Sequence, residues 1–121
     1  MSVIQFRPDD LVRALNAPVP VPVPIGLPVS QVESKSFAAS ATARTRAGVW
    51  QCSPGRWRRQ VRQSEFCHFI EGDCTFIPDD GAPIDIKAGD VLYFPANSMG
   101  TWDIRARSRK IFIVFDEADR A

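Results

Sequence analysis

The sequence predicts an all-β fold of the sandwich or barrel kind, and three observations carry that prediction. From Gln31 onward the apolar runs are short. Turn-forming clusters cut them at close intervals: Ser53-Pro54-Gly55, Glu71-Gly72, Asp79-Asp80-Gly81, Gly89-Asp90 and Pro95-Ala96-Asn97. Two runs, Glu65–Ile70 and Ile111–Phe115, are largely apolar on both faces of a two-residue repeat, as expected of strands covered on both sides. The first 28 residues hold six of the ten prolines, alternating from Pro18 to Pro24, which excludes helix and central strand there.

A chain of 121 residues is one domain by length and long enough to bury ~65% of its unfolded surface without a disulfide or metal staple. With 45% hydrophobic and 24% charged residues and a net charge of +1, nothing in the balance asks for nucleic acid or an anionic membrane. Cys52, Cys67 and Cys74 are odd in number and lack CxxC spacing, which argues for a reducing compartment. No apolar run approaches ~18 residues, and Arg7, Asp9 and Asp10 stand where a signal peptide needs its apolar core. The expectation is a cytoplasmic protein.

Residues 1–30 are expected to form an extended arm, with one short helix over 7–16. Pro8 suits a first helical turn, the two Asp favour the N-terminal dipole, and Leu11 and Leu15 sit at i,i+4. The alternating prolines then make an extended, polyproline-like or sheet-edge stretch. It is either a stiff linker or an arm whose row of Val19, Val21, Val23 and Ile25 lies on a partner. Residues 31–121 are expected to form the barrel, with strands at 31–37, 43–52, 56–61, 65–70, 73–77, 83–86, 91–94, 100–105 and 109–115. Glu71-Gly72 reads as a tight turn between two of them. The polar tail from Asp116 is expected to fray.

Charge is divided along the chain. Arg44, Arg46, Arg56, Arg58, Arg59 and Arg62 occupy 44–62 with no acid between them, whereas 71–103 is acidic apart from Lys87 and the residues' neutral neighbours. The blocks are either solvated faces attracting one another across a sheet or a dimer contact, or a basic binding patch. On strand alternation Glu65, Cys67 and Phe69 share one face, and Phe66, His68 and Ile70 the other. Glu65 is thus an acid in an apolar strand, and His68, the single histidine, points away from it.

Five motifs stand in order: Gly48-Val-Trp50-Gln-Cys52-Ser-Pro54-Gly55; Glu65-Phe-Cys67-His68-Phe-Ile-Glu71-Gly72; Gly89-Asp90-Val-Leu-Tyr-Phe-Pro95-Ala; Gly100-Thr-Trp102; and Arg109-Lys110-Ile-Phe. Together they resemble the cupin superfamily, and more narrowly the small single-domain cupins grouped with (S)-ureidoglycine aminohydrolase. The resemblance covers roughly residues 46–115. It implies a cupin-type double-stranded β-helix (jelly-roll barrel), commonly dimeric, with a pocket inside. It also implies metal seats that this sequence leaves empty: the His-x-His pair falls near Arg58–Val61, the last His falls at Gly100, and Glu65 alone survives. A tight site needs three or four converging ligands, so no metal and no other cofactor is expected.

Without a metal, Glu65 requires a cation. Lys110 or one of Arg58 and Arg59 can provide it, and in the resembled family a basic residue recurs at the place of Lys110. A Glu65–Lys110 pair would be either a general acid/base couple or a structural ion pair fixing register. Trp102 has the parity of the vacated seat at 100, so its indole is expected to face inward, either as core or as a stacking surface, with Gly100 making room for it. Cys67 is either a nucleophile or an inert buried thiol. The leading expectation is a homodimeric, metal-free cupin binding a small polar molecule inside the barrel through Glu65, Cys67, Trp50, Tyr93, Trp102 and Lys110, with Glu65 and Lys110 as the catalytic candidates. The alternatives are a hydrolase or lyase on small nitrogen compounds, implied by the resemblance, and a non-catalytic structural or regulatory partner.

Overall fold

A computed structural model describes residues 3–38 and 44–115. Within it are α1 (Pro8–Arg13) and nine strands: β1 (Val19–Pro20), β2 (Pro24–Ile25), β3 (Gln31–Ala38), β4 (Arg46–Cys52), β5 (Gly55–Val61), β6 (Ser64–Pro78), β7 (Ile84–Lys87), β8 (Val91–Phe94) and β9 (Ser98–Phe115). The all-β expectation holds, and the pairing is that of a curled, antiparallel jelly roll. The expected strand start at residue 43 and the tail beyond Phe115 lie outside the described residues.

β9 is the strand on which the others assemble. One edge pairs with β6 along its whole length, from Ser64↔Phe115 to Pro78↔Gly100. The other edge is shared: β5 takes the first half and β4 the second. This single long strand replaces the two expected at 100–105 and 109–115. In the same way β6 replaces 65–70 and 73–77, so the turn expected at Glu71-Gly72 is a correction to be made. The strand runs on through a bulge, with register shifts from Phe69 to Cys74. Gly72 has φ +135, and a Cβ there would meet the Ser108 side chain and its Cα at 2.7 Å. A glycine at such a crossing lets two bending strands stay in contact where any other residue would part them.

The proline-rich stretch is neither a detached linker nor a free row. β1 pairs with β3 and β2 with β5, so the arm crosses the open side of the barrel and joins its two walls. Val21 N–H donates to Ser30 O at 3.1 Å, and Arg58 N–H donates to Val23 O at 2.9 Å. Prolines are tolerated because these are edge strands: the missing donors face no further neighbour. Val21 turns inward into the core at 5% exposure, while Val19, Val23 and Ile25 are exposed, which breaks the expected apolar row. α1 is shorter than expected and lies against β3 and β4, with Phe6 and Phe37 meeting edge-on at 5.1 Å.

The outer face of β6 also differs from expectation. Phe66, Val91 and Tyr93 are exposed large apolar residues, and His68 is exposed beside them, so this face is not covered within the chain. The charge blocks meet across strands only in part. Arg58 holds Asp79 through two bonds of 2.7 and 2.6 Å, while three other acids pair with bases of β9: Asp73 and Asp103 with Arg105, and Glu71 with Arg107 and Arg109. No helix among the described residues is long and apolar enough to cross a membrane.

Candidate functional site

Glu65, Cys67 and Phe69 turn inward from β6, on the alternation the sequence predicts, and all three are buried. Lys110 turns inward from β9, where its backbone lies between Trp50 and Phe69. Its Nζ reaches across to Glu65 and donates to Oε2 at 2.6 Å, with the two side chains 5% and 4% exposed. Four rings surround the ammonium: Trp50 at 4.5 Å from the ring centroid, Trp102 at 5.7 Å, Phe94 at 5.8 Å and Phe69 at 6.0 Å. A carboxylate and several π faces together offset the hydration the cation gives up.

Trp102 is also interior, at 1% exposure, packed among Trp50, Trp57, Phe69, Phe76 and Phe94 with centroids 4.9–6.5 Å away. It has no free face on which a ligand could stack. Gly100 does not make room for this indole, as expected. A Cβ at Gly100 would meet Phe76, with Cε2 at 2.9 Å, so the space serves the Phe76 ring. Cys67 is fully buried, and burial pushes its thiol up to about 11 against a smaller opposing pull from Lys110. At neutral pH it is protonated and a poor nucleophile. Tyr93 does not join the group: it lies on the outer face, opposite Phe66 in register and 58% exposed.

The interior is therefore a packed polar-in-aromatic core rather than a pocket. A half-open hollow lies elsewhere, under the arm. A cavity of about 290 Å³ separates the inner faces of β3, β4 and β5 from residues 16–22. Trp50 and Trp57 form its walls, Val21 and Pro22 its roof, and Arg59 its cationic side. The Arg59 guanidinium carbon stands 5.9 Å from the Trp57 ring centroid, and no acid pairs with it among the described residues. Trp50 is the one predicted contact on this cavity, and its ring carries the Lys110 ammonium at 4.5 Å. Sequence reasoning missed Arg59 as a site residue. Its signal was its parity with Trp57 on β5, which places both on the inner face. A second hollow of about 760 Å³ opens on the outer surface near Tyr93, Ile84 and Met99. Its acids are Asp80 and the Arg58-bound Asp79, and no cation lines it.

The cupin metal seats do not fit a metal here. Arg58 is turned to Asp79, Arg59 faces the cavity, Gln60 is exposed and Val61 is core. A side chain at Gly100 would collide with Phe76, and the Glu65 carboxylate is engaged by Lys110. Among the described residues no group of three or more His, Cys, Asp or Glu could hold a metal ion.

This arrangement of strands has counterparts. The model of the EutQ-like cupin domain matches residues 39–112, well over half of the chain. The chain belongs to this cupin family. Solved structures similar to this EutQ-like cupin include ethanolamine utilization protein Q from Salmonella typhimurium, at 17% identity and TM-score 0.60, covering 73% of this chain and 70% of that one. EutQ from Clostridium difficile matches at 19% identity and TM-score 0.64, over 78% and 80% of the two chains. A DUF861-family protein of unknown function from Pseudomonas syringae reaches TM-score 0.70 at 22% identity, but this cupin spans only 43% of it. At such identities the likeness concerns the fold. No curated protein matches the sequence.

Proposed function

We propose that this EutQ-like cupin is a small-molecule-binding domain that works without a metal ion, with its site at the arm-closed mouth of the barrel rather than around Glu65. The observation that carries the reading is a half-open hollow of about 290 Å³ beside two indoles, with an uncommitted cation on its wall. Apolar walls with few polar groups are what small-ligand sites share. Beneath it the Glu65–Lys110 pair supports Trp50 from behind. A homodimer in the cytoplasm is part of the same proposal, and light scattering of the purified protein tests the dimer.

The deciding experiment is a thermal-shift screen of small polar metabolites with and without divalent metals. A ligand that prefers the native state raises its stability. Stabilisation that is independent of metal is expected. Stabilisation only when zinc, manganese, iron or nickel is present, or stoichiometric metal on the purified protein, would refute the proposal. One observation favours a second reading, a hydrolase or lyase on small nitrogen compounds akin to (S)-ureidoglycine aminohydrolase: the 2.6 Å contact of Glu65 and Lys110, an acid/base couple in form. Turnover lost in Glu65→Gln, assayed well below the variant's melting temperature with its fold intact by circular dichroism, would establish it.

A further inference from the structure

Resting on the mouth as the binding site, we infer that its ligand is a small carboxylate with an apolar body, held head-first on Arg59. Arg59 is the one ionised side chain on the cavity wall, and the other polar side chains there are Asn16 and Ser34, both neutral. Its guanidinium is half-buried over Trp57 and free of acids among the described residues, although Arg58 next to it is fully committed to Asp79. Standing near the indole and paired with no acid among the described residues, the guanidinium keeps its N–H donors available, and such a fork matches a carboxylate through two parallel hydrogen bonds. An unpaired cation on an indole, in a space otherwise apolar, selects an anionic head.

The rest of the wall selects the body. Val19, Val32 and the arm prolines offer aliphatic surface, the buried Trp50 and Trp57 add little, and no acid lines the space to welcome an amine. The Lys110 ammonium behind Trp50 draws density from the indole and weakens that face toward a second cation. A volume of about 290 Å³ lies at the lower end for small-ligand sites and suits a single ring or a short chain, not a nucleotide. The hollow is open to solvent on one side, so a ligand reaches Arg59 without displacing the arm.

The test uses the full chain and three probes of one shape: benzoate, benzamide and benzylamine. Binding is read from the indole N–H resonances of Trp50 and Trp57, assigned by substitution, and affinity from calorimetry. Benzoate is expected to shift those two resonances and to bind at least about tenfold more tightly than benzamide, the size of one charge-assisted contact. Arg59→Gln should abolish that preference while Arg59→Lys keeps part of it, with melting temperatures unchanged. Benzamide or benzylamine binding as well as benzoate, or a preference that survives Arg59→Gln, would overturn the inference and leave the mouth as a site for another class of ligand. If none of the three, and nothing in the metabolite screen, moves either indole, the binding site itself is wrong.

Discussion

Replacing Lys110 by Met tests the account of the barrel interior most directly. The ammonium and the Glu65 carboxylate are 2.6 Å apart at 5% and 4% exposure, so removing one leaves the other charged and sealed from water. Breaking such a pair costs about 3–5 kcal/mol, against roughly 5–15 kcal/mol for the whole domain. At about 4 °C per kcal/mol for a chain of this size, the melting temperature should fall by roughly 12–20 °C. The two partners are not equivalent. Lys110→Met leaves a carboxylate facing the negative centres of Trp50, Trp102, Phe69 and Phe94, whereas Glu65→Gln leaves a cation inside its cage with an amide oxygen still able to accept from it. Lys110→Met should therefore lie at the upper end of the range and Glu65→Gln at or below the lower end. The double replacement Glu65→Leu with Lys110→Met should recover to the wild-type value or exceed it by about 1–4 kcal/mol, because no charge is left to desolvate. Thermal and urea unfolding followed by circular dichroism measure all three. The reasoning fails if Lys110→Met melts within about 2 °C of wild type, or if the double variant loses the sum of the single losses.

Other outcomes follow from the same structure. Deleting residues 1–25 removes β1, β2 and the buried Val21, so the barrel should lose at least about 1.5–3 kcal/mol and its tryptophan emission should shift to longer wavelength; an unchanged melting curve would mean the arm is only an appendage. Burial pushes Cys52 and Cys67 up to about 11 from 9, which makes the folded state bind their protons more tightly than the unfolded state does. Their contribution is complete below pH 9 and is lost as pH rises toward 11, so a thiol reagent should find no reactive cysteine at pH 8 until denaturant exposes all three. Arg105, and then Lys87, hold Asp73 down to about 2 from 3.8. That stabilisation is present above about pH 4 and fades as pH falls toward 2, so Asp73→Asn should flatten the acid limb of a stability profile.

Much of this molecule could be read before its coordinates. Alternation separated Glu65 and Cys67 from His68, because a period of two leaves no third choice within an uninterrupted strand, and the cupin seat at Gly100 gave Trp102 its inward parity. Where the strand is interrupted, the reading failed for a local reason. Gly72 carries the signature of a turn, and only its approach to Ser108, 36 residues on, makes it a bulge. Tyr93 was assigned inward on a short strand whose parity rests on one residue of register, and the slip reversed it. Val21 was read only as one of an apolar row and Arg59 only as an alternative cation for Glu65, because each matters through a partner distant in the chain: the arm closes over β5, and neither segment's own sequence announces the meeting. The pairing of Glu65 with Lys110 was legible as a need for a cation, but that the pair would be sealed behind rings depended on how five aromatic residues from different strands converge.

The placement of β9 bears on how the chain comes together in the cell. Its neighbours β4, β5 and β6 all precede it, and apart from the arm contacts, the β3–β4 hairpin and the pairing of β6 with β7 and β8 they find their partners in it. During synthesis these segments leave the ribosome with one edge still bare, and the β9 residues that complete them come after all of them. Assembly must wait for Trp102 and Lys110 to emerge, so the sheet closes through contacts distant in sequence and at the slow rates such topologies impose. Until then the exposed strand edges of β4 to β6 are what a chaperone would meet.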